Sequence, residues 1–423
     1  MSQGTIRTVT TPDLEALGRR VAAAARQLAG TSGATRSEAL RRSAVQLRSA
    51  SAAILTANEA DLAQAEADGL PLTALDRLRL DEARVEAMAA GLEAVAALPD
   101  PVGEVLGGSV RPNGLRVSQI RVPLGVVGVI YENRPNVTSD VAGLCLKSGN
   151  AAFLRGSSSA LRSNKAIVDA LRAGLDELGI PVEAVSLVED ISHEAAISFM
   201  KLRGLIDLLI PRGGPSLIAS MLEHATVPYV IDGDGNCHVY VDAAADLDMA
   251  LDIIVNAKTQ RPGVCNAAES ILIDRPVAEE LLGRLRRAMP TVALRGDEAA
   301  RRIDPSIEPA SEDDYGREFL DLIASVKIVD GVDEAIAHIA RYSSGHSEAI
   351  VTADITTAER FLDEVDAAAV LLNASTRFVD GAELGLGAEV GISTQKLHAR
   401  GPMGLTALTS VKWVIRGEGQ TRT

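Results

Sequence analysis

Between residues 126 and 241, five short apolar runs (VVGVIY, AAFLRG, AVSLVE, LIDLLIP and HVYVD) alternate with segments of helical periodicity such as SALRSNKAIVDALRAGLDELG. Runs this short and this apolar suit strands that are covered on both faces. The helical segments between them supply the crossovers that parallel strands require. The alternation therefore predicts an open parallel sheet with helices packed on it. At 423 residues the chain exceeds one ordinary core, so a second domain is expected. It is read from about Val241 onward in DLDMALDIIVNAKTQ, ESILIDRPVAEELLGRLRRAM and ASVKIVDGVDEAIAHIA.

Before the sheet, the first hundred residues read as helices, with a capping box over Thr35–Glu38 and a helix over DEARVEAMAAGLEAVAAL that Pro99 and Pro101 stop. GGSVRPNGLRVSQIRVPLG alternates apolar and polar residues around Asn113-Gly114, a hairpin signal. The Gly-rich C-terminal stretch ends as a strand in VKWVIRG.

Composition excludes several function classes. A net charge of −15 is wrong for a nucleic-acid partner, which needs a basic stripe. No apolar stretch reaches the roughly 18–20 residues of a membrane span, and MSQGTIRTVTTPDLEAL lacks the basic and apolar regions of a secretory signal. Three cysteines, Cys145, Cys237 and Cys265, are too few and too irregular for a disulfide framework or a zinc site. The expectation is a reduced, cytoplasmic protein without a metal.

Two readings compete for Cys265 in QRPGVCNAAES. A turn followed by a helix-compatible Asn-Ala-Ala stretch would set the thiol at a helix N-terminus, where the dipole favours a reactive thiolate. The alternative is a packed structural cysteine, as expected for Cys145 and Cys237. In PRGGP, Gly213 and Gly214 bring backbone N–H groups towards an anion at a helix start, or merely tighten the turn. In AAFLRGSSSALRS a strand ends at Arg155 and runs on through Ser157, with no Asp or Glu between Ala151 and Lys165. An arginine in place of an acidic ribose partner leans towards NADP; the competing reading is a solvated loop. His238 and His398 are read as packed or solvated, not as bases for the thiol.

VPLGVVGVIYENRPNVTSDVAGLCLKSGNAAFLRG, PRGGPSLI, KTQRPGVCNAAES and AEVGISTQKLHARGPMGLTALTSVKW occur in this order. Together they closely resemble the gamma-glutamyl phosphate reductases of the aldehyde dehydrogenase superfamily. The resemblance runs from about Leu14 to Val414. It implies an α/β, aldehyde dehydrogenase-like fold with two Rossmann-like parallel-sheet domains and a β-hairpin oligomerisation arm. Residues 1–104 and 123–240 would form the NADP-binding domain, 241–385 the catalytic domain carrying Cys265, and 105–122 with 386–423 the arm and C-terminal return.

The resemblance further implies NADPH-dependent reduction of L-glutamyl 5-phosphate to L-glutamate 5-semialdehyde with release of phosphate, the second step of proline biosynthesis, with Cys265 as nucleophile. Asn136, then Asn133, are the candidates to complete the oxyanion hole beside the Cys265 N–H. Arg155, Ser157, Gly213, Gly214 and Glu318 are the expected cofactor contacts. A homo-oligomer is expected, and the lability of the substrate motivates an association with glutamate 5-kinase. One departure concerns mechanism: the glutamate that activates water in hydrolytic relatives is missing from YVIDGDGNCHVYV, where Ile231 falls near its place. A thioester exchanging with phosphate needs no such base, although Asp232 and Asp234 are close by. The rival readings are a hydrolytic aldehyde dehydrogenase and a cofactor-free cysteine acyltransferase.

Overall fold

The computed structural model describes residues 11–231 and 233–422. Residues 1–10 of the stretch tested for a secretory signal, and Asp232, lie outside the described residues. The architecture is mixed α/β with two parallel sheets, as expected. The chain forms two compact units: one runs to Ile231 and takes in Leu386–Val390 and the chain from Met403, and the other runs to Gly385 and takes in Gly391–Pro402.

The first unit opens with five helices: α1 (Thr11–Ala29), α2 (Gly33–Ser49), α3 (Ser51–Ala67), α4 (Leu72–Leu78) and α5 (Glu82–Ala97). The cap of α2 is Ser32, whose hydroxyl accepts from the Thr35 N–H at 3.1 Å. The helix therefore starts three residues before the expected capping box, and Glu38 pairs instead with Arg41 and Arg42 on the surface. The hairpin strands β1 (Val105–Val110) and β2 (Arg116–Pro123) follow, then the four-stranded parallel sheet. Its strands are β3 (Val126–Tyr131), β4 (Ala151–Arg155), β5 (Val185–Leu187) and β6 (Leu208–Arg212), in the order β5-β4-β3-β6. Helices α6 (Asn136–Lys147), α7 (Leu161–Asp176) and α8 (His193–Phe199) make the crossovers, and α9 (Pro215–His224) follows β6.

All of β3 is buried, which explains its unbroken apolar run. Strand order reverses between β3 and β6, so the loops after these strands diverge and leave the crevice in which open α/β sheets bind ligands.

The second unit is a seven-stranded sheet whose pairs are all parallel. Its strands are β7 (Cys237–Val241), β8 (Ala268–Asp274), β9 (Ala293–Gly296), β10 (Glu308–Pro309), β11 (Ile323–Val329), β12 (Ser347–Val351) and β13 (Ala369–Leu372), ordered β10-β9-β11-β8-β7-β12-β13. Sequence reading put HVYV, now β7, at the end of the first domain, but it pairs with β8 and β12 in the second sheet. An apolar strand buried on both faces reads alike in either sheet, so its sequence does not say which one takes it. The C-terminal return is also divided, 391–402 lying with the second unit, where β14 (Ile392–Ser393) pairs with β15 (Gly401–Pro402).

The last strand, β16 (Thr409–Arg416), pairs antiparallel with β2 over its whole length, which makes the hairpin a three-stranded arm. Every residue of β1 is exposed, and Val411, Trp413 and Ile415 project from β16 with exposures of 42%, 62% and 60%.

Candidate active site

Helix α10 (Leu247–Thr259) delivers the chain to a turn over 261–267 that holds Cys265, and β8 leads away from it. No helix starts after Cys265, contrary to the sequence expectation, so the dipole argument for its thiolate does not apply. Asn-Ala-Ala-Glu-Ser is compatible with a helix in isolation, but AESILID buries all seven residues in the centre of the sheet. That burial overrides the local propensity.

The thiol is half-buried in this turn, whereas Cys145 and Cys237 are fully buried as expected. Several contacts fix the turn. A Cβ on Gly235 would lie 1.6 Å from the Cys265 carbonyl oxygen, so two backbone segments touch there and only glycine fits. The Cys237 Sγ donates to the same oxygen at 3.1 Å. Burial drives the Cys237 thiol well above its ordinary pKa, and nearby Glu348 adds to this, so it stays protonated as a packing group. The Thr376 hydroxyl donates to the Asn266 carbonyl at 2.7 Å, and the Asn266 side-chain N–H to Val379 at 3.0 Å.

Glu318 belongs to the same constellation. Its Oε1 accepts from the Gly235 N–H at 2.9 Å, and burial raises its carboxyl pKa against that bond. Behind it lies a pair that sequence reasoning missed: Lys258 Nζ and Glu269 Oε2 meet at 2.6 Å with no exposure. The other Glu269 oxygen accepts from the Leu320 N–H, fastening the loop that carries Glu318 to the Cys265 strand. The only signal available was a lysine and a glutamate inside otherwise apolar elements. Of the carboxylates around this turn, Glu318 is taken up with the Gly235 N–H. Asp234 is exposed, and Glu269 is bound to lysine. His238 is buried on Glu348 at 2.8 Å and His398 is exposed.

In the first unit, the residues expected to bind cofactor gather at the carboxyl ends of β3, β4 and β6. Their bonds revise several expected roles. Glu132, unremarked in the sequence, accepts from the Gly214 N–H at 3.0 Å, and its carboxyl group lies 2.7 Å from where a Gly213 Cβ would be. The first amide of this turn is thus held by a carboxylate, not offered to an anion. Arg155 donates to the Ile191 and Ser192 carbonyls, both at 3.1 Å, and its Nε is buried without a partner among the described residues.

Asn133, at φ 43°, accepts through Oδ1 from the hydroxyls of Ser157 and Ser159. That orientation leaves its Nδ2 without a partner among the described residues. Asn136, the first choice from sequence, donates its Nδ2 to Asp140 at 2.9 Å. Ser157 is engaged with Asn133, not directed away from the loop. The sequence held no sign of these partnerships, because each joins a different strand end.

The profile of the aldehyde dehydrogenase family matches residues 2–320. The gamma-glutamyl phosphate reductase of Caldanaerobacter subterraneus subsp. tengcongensis is 51% identical over 412 residues, covering 97% of this chain and 100% of that one. That of Clostridium beijerinckii is 54% identical over 387 residues, covering 91% of this chain and 94% of its own. The crystal structure of gamma-glutamyl phosphate reductase from Thermotoga maritima superposes with a TM-score of 0.95 at 46% identity, covering 96% of this chain and 99% of that one. The chain therefore belongs to the aldehyde dehydrogenase family and, within it, to the gamma-glutamyl phosphate reductases.

Proposed function

We propose that the protein reduces L-glutamyl 5-phosphate to L-glutamate 5-semialdehyde with NADPH and releases phosphate, the second step of proline biosynthesis. The observation that carries the reading is the clamped turn that holds the half-buried Cys265, within a chain about half identical to reductases of that name along their whole length. The thiolate attacks the acyl-phosphate carbonyl and the oxyanion needs preorganised donors. Asn133 suits that task better than Asn136, because its Nδ2 has no partner among the described residues and two serine hydroxyls hold its Oδ1. Phosphate departs and a Cys265 thioester remains. Bound NADPH would supply the hydride that takes the thioester to aldehyde, with Cys265 leaving as thiolate.

For the cofactor, the β4 loop fits NADP(H): it has a buried arginine nitrogen without a partner among the described residues, three hydroxyls and no carboxylate of its own, the nearby charges of Asp190 and Glu132 coming from neighbouring loops. Arg155 would hold the adenosine end and Glu318 the nicotinamide ribose. Gly214 fits less well, since Glu132 occupies its N–H.

Against the hydrolytic alternative, Glu318 and Glu269 are already bonded to Gly235 and Lys258, and against the cofactor-free acyltransferase, His238 is held by Glu348. No helix among the described residues is long and apolar enough to cross a membrane; a cytoplasmic location follows from the proposed pathway. The exposed apolar row on β16 supports a homo-oligomer built through the arm. Association with glutamate 5-kinase would shelter the labile acyl phosphate; crosslinking that recovers no kinase counts against it. The reading is tested by mixing enzyme with L-glutamyl 5-phosphate without NADPH and mapping the protein by mass spectrometry. A glutamyl adduct on the Cys265 peptide, absent in Cys265→Ala, is expected. Normal turnover by Cys265→Ala would refute the reading.

A further inference from the structure

The Cys265 turn carries two guanidinium groups without a carboxylate partner among the described residues. Arg261 belongs to the turn itself and is exposed. Arg377 is half-buried and fastened to the turn on both sides of Cys265. Its Nε donates to the Gln260 side-chain oxygen at 2.7 Å, and its backbone carbonyl accepts from Asn266 at 3.4 Å. A neutral amide oxygen orients this guanidinium without cancelling its charge. Burial, and next the charge on Arg261, lower the Arg377 pKa, while Asp380 and Cys265 favour its charged form. The two arginines and the thiol thus share one electrostatic neighbourhood.

Elsewhere in this unit, Arg275, Arg284, Arg295, Arg360 and Arg400 each sit on a carboxylate, and Arg287, Arg301 and Arg317, which like these two have no such partner among the described residues, lie outside the Cys265 turn. Two like charges left together beside a nucleophile repel each other unless an anion comes between them.

The geometry points to a phosphate-binding subsite formed by Arg377 and Arg261 against the Cys265 turn. It takes the phosphate that leaves the acyl carbon and, in reverse, the inorganic phosphate that attacks the thioester. The assignment rests on the Cys265 reading above. Phosphate is preferred to the substrate's distant carboxylate on two grounds. Its double negative charge matches two guanidinium groups, each able to donate a fork of N–H bonds. It also departs from the carbon bonded to Cys265 Sγ, so its site must adjoin this turn, whereas the carboxylate lies a side chain's length away. In the reverse step a phosphate oxygen forms the bond to the acyl carbon, the C–S bond breaks, and Cys265 leaves as thiolate, with no redox change.

The test compares alkylation of Cys265 by anionic iodoacetate and neutral iodoacetamide in the wild type, Arg377→Gln and Arg261→Gln, with and without inorganic phosphate. Inorganic phosphate should slow the iodoacetate reaction of the wild type. Either substitution should slow iodoacetate about tenfold more than iodoacetamide, as expected for losing one charge-assisted hydrogen bond to the anion on top of any loss of thiolate that both reagents feel. In the reverse reaction the KM for phosphate should rise by a similar factor and that for the semialdehyde should hold. Equal slowing of both reagents would mean that Arg377 only shapes the turn, and would overturn the assignment. So would a rise in the semialdehyde KM alone, which would give the arginines to the carboxylate. Arg261 is exposed, so its variant keeps the test decisive if Arg377→Gln misfolds. Failure of the Cys265 reading shows separately, as turnover that survives Cys265→Ala.

Discussion

Gly235 and Cys265 touch through their backbones, and the contact sets where the thiol stands. Adding a methyl group in Gly235→Ala must push the turn aside, since the new carbon would overlap the Cys265 carbonyl oxygen. Misplacement of a nucleophile by about 1 Å costs on the order of 10²-fold. Such a loss in kcat, with an unchanged circular dichroism spectrum, is expected. Retention of full rate would mean that the turn is soft. The two asparagines give a second contrast. Asn133→Ala should lower kcat by about 10²–10³, the effect of removing one oxyanion donor, whereas Asn136→Ala should do little because that amide is bound to Asp140. Kinetics of the pair decide, and a reversed order would restore Asn136 to the role. The turn residues made Cys265 a candidate, and the family resemblance made it the choice. The sequence did not reveal Glu132 or Glu269, whose partners Gly214 and Lys258 are chosen by the strand order and not by spacing.

At the level of elements, the alternation of strands and helices was legible because each buried strand is an uninterrupted apolar run. The misreadings came where local preference and tertiary burial disagree. The stretch after Cys265 favours a helix by itself, and β8 takes it because its full length is buried. The Lys258–Glu269 pair joins α10 to β8 in the same core. Removing one partner leaves a buried charge, so Lys258→Met should cost about 3–5 kcal/mol, and Lys258→Met with Glu269→Leu should recover much of it. Urea midpoints of the three proteins measure this directly, and a double variant no better than the single would contradict it. In the arm, Trp413 is the largest exposed apolar side chain of β16. Trp413→Glu should shift the protein to a smaller species in sedimentation equilibrium, and an unchanged mass would move the interface elsewhere.

Two buried histidines contribute to the response of the whole molecule to acid. Burial, and then the charge of His238, hold His338 down to about 3, and burial holds His346 down to about 4. Both stay neutral in the fold, whereas the unfolded chain takes up their protons below about pH 6.5. Their contribution is therefore complete above pH 6.5 and is lost as pH falls, down to about 4 for His346 and about 3 for His338, with a slope of up to about 1.4 kcal/mol per pH unit for each. Urea midpoints at pH 7 and pH 5 should differ in the wild type and differ less in His338→Phe. The central claim, however, is that phosphate and not water resolves a Cys265 thioester. The most direct measurement follows nicotinamide absorbance with L-glutamate 5-semialdehyde and NADP, with and without inorganic phosphate. NADPH formation that depends on phosphate and vanishes in Cys265→Ala is the predicted result. Steady turnover without phosphate would contradict it, because water would then be cleaving the thioester.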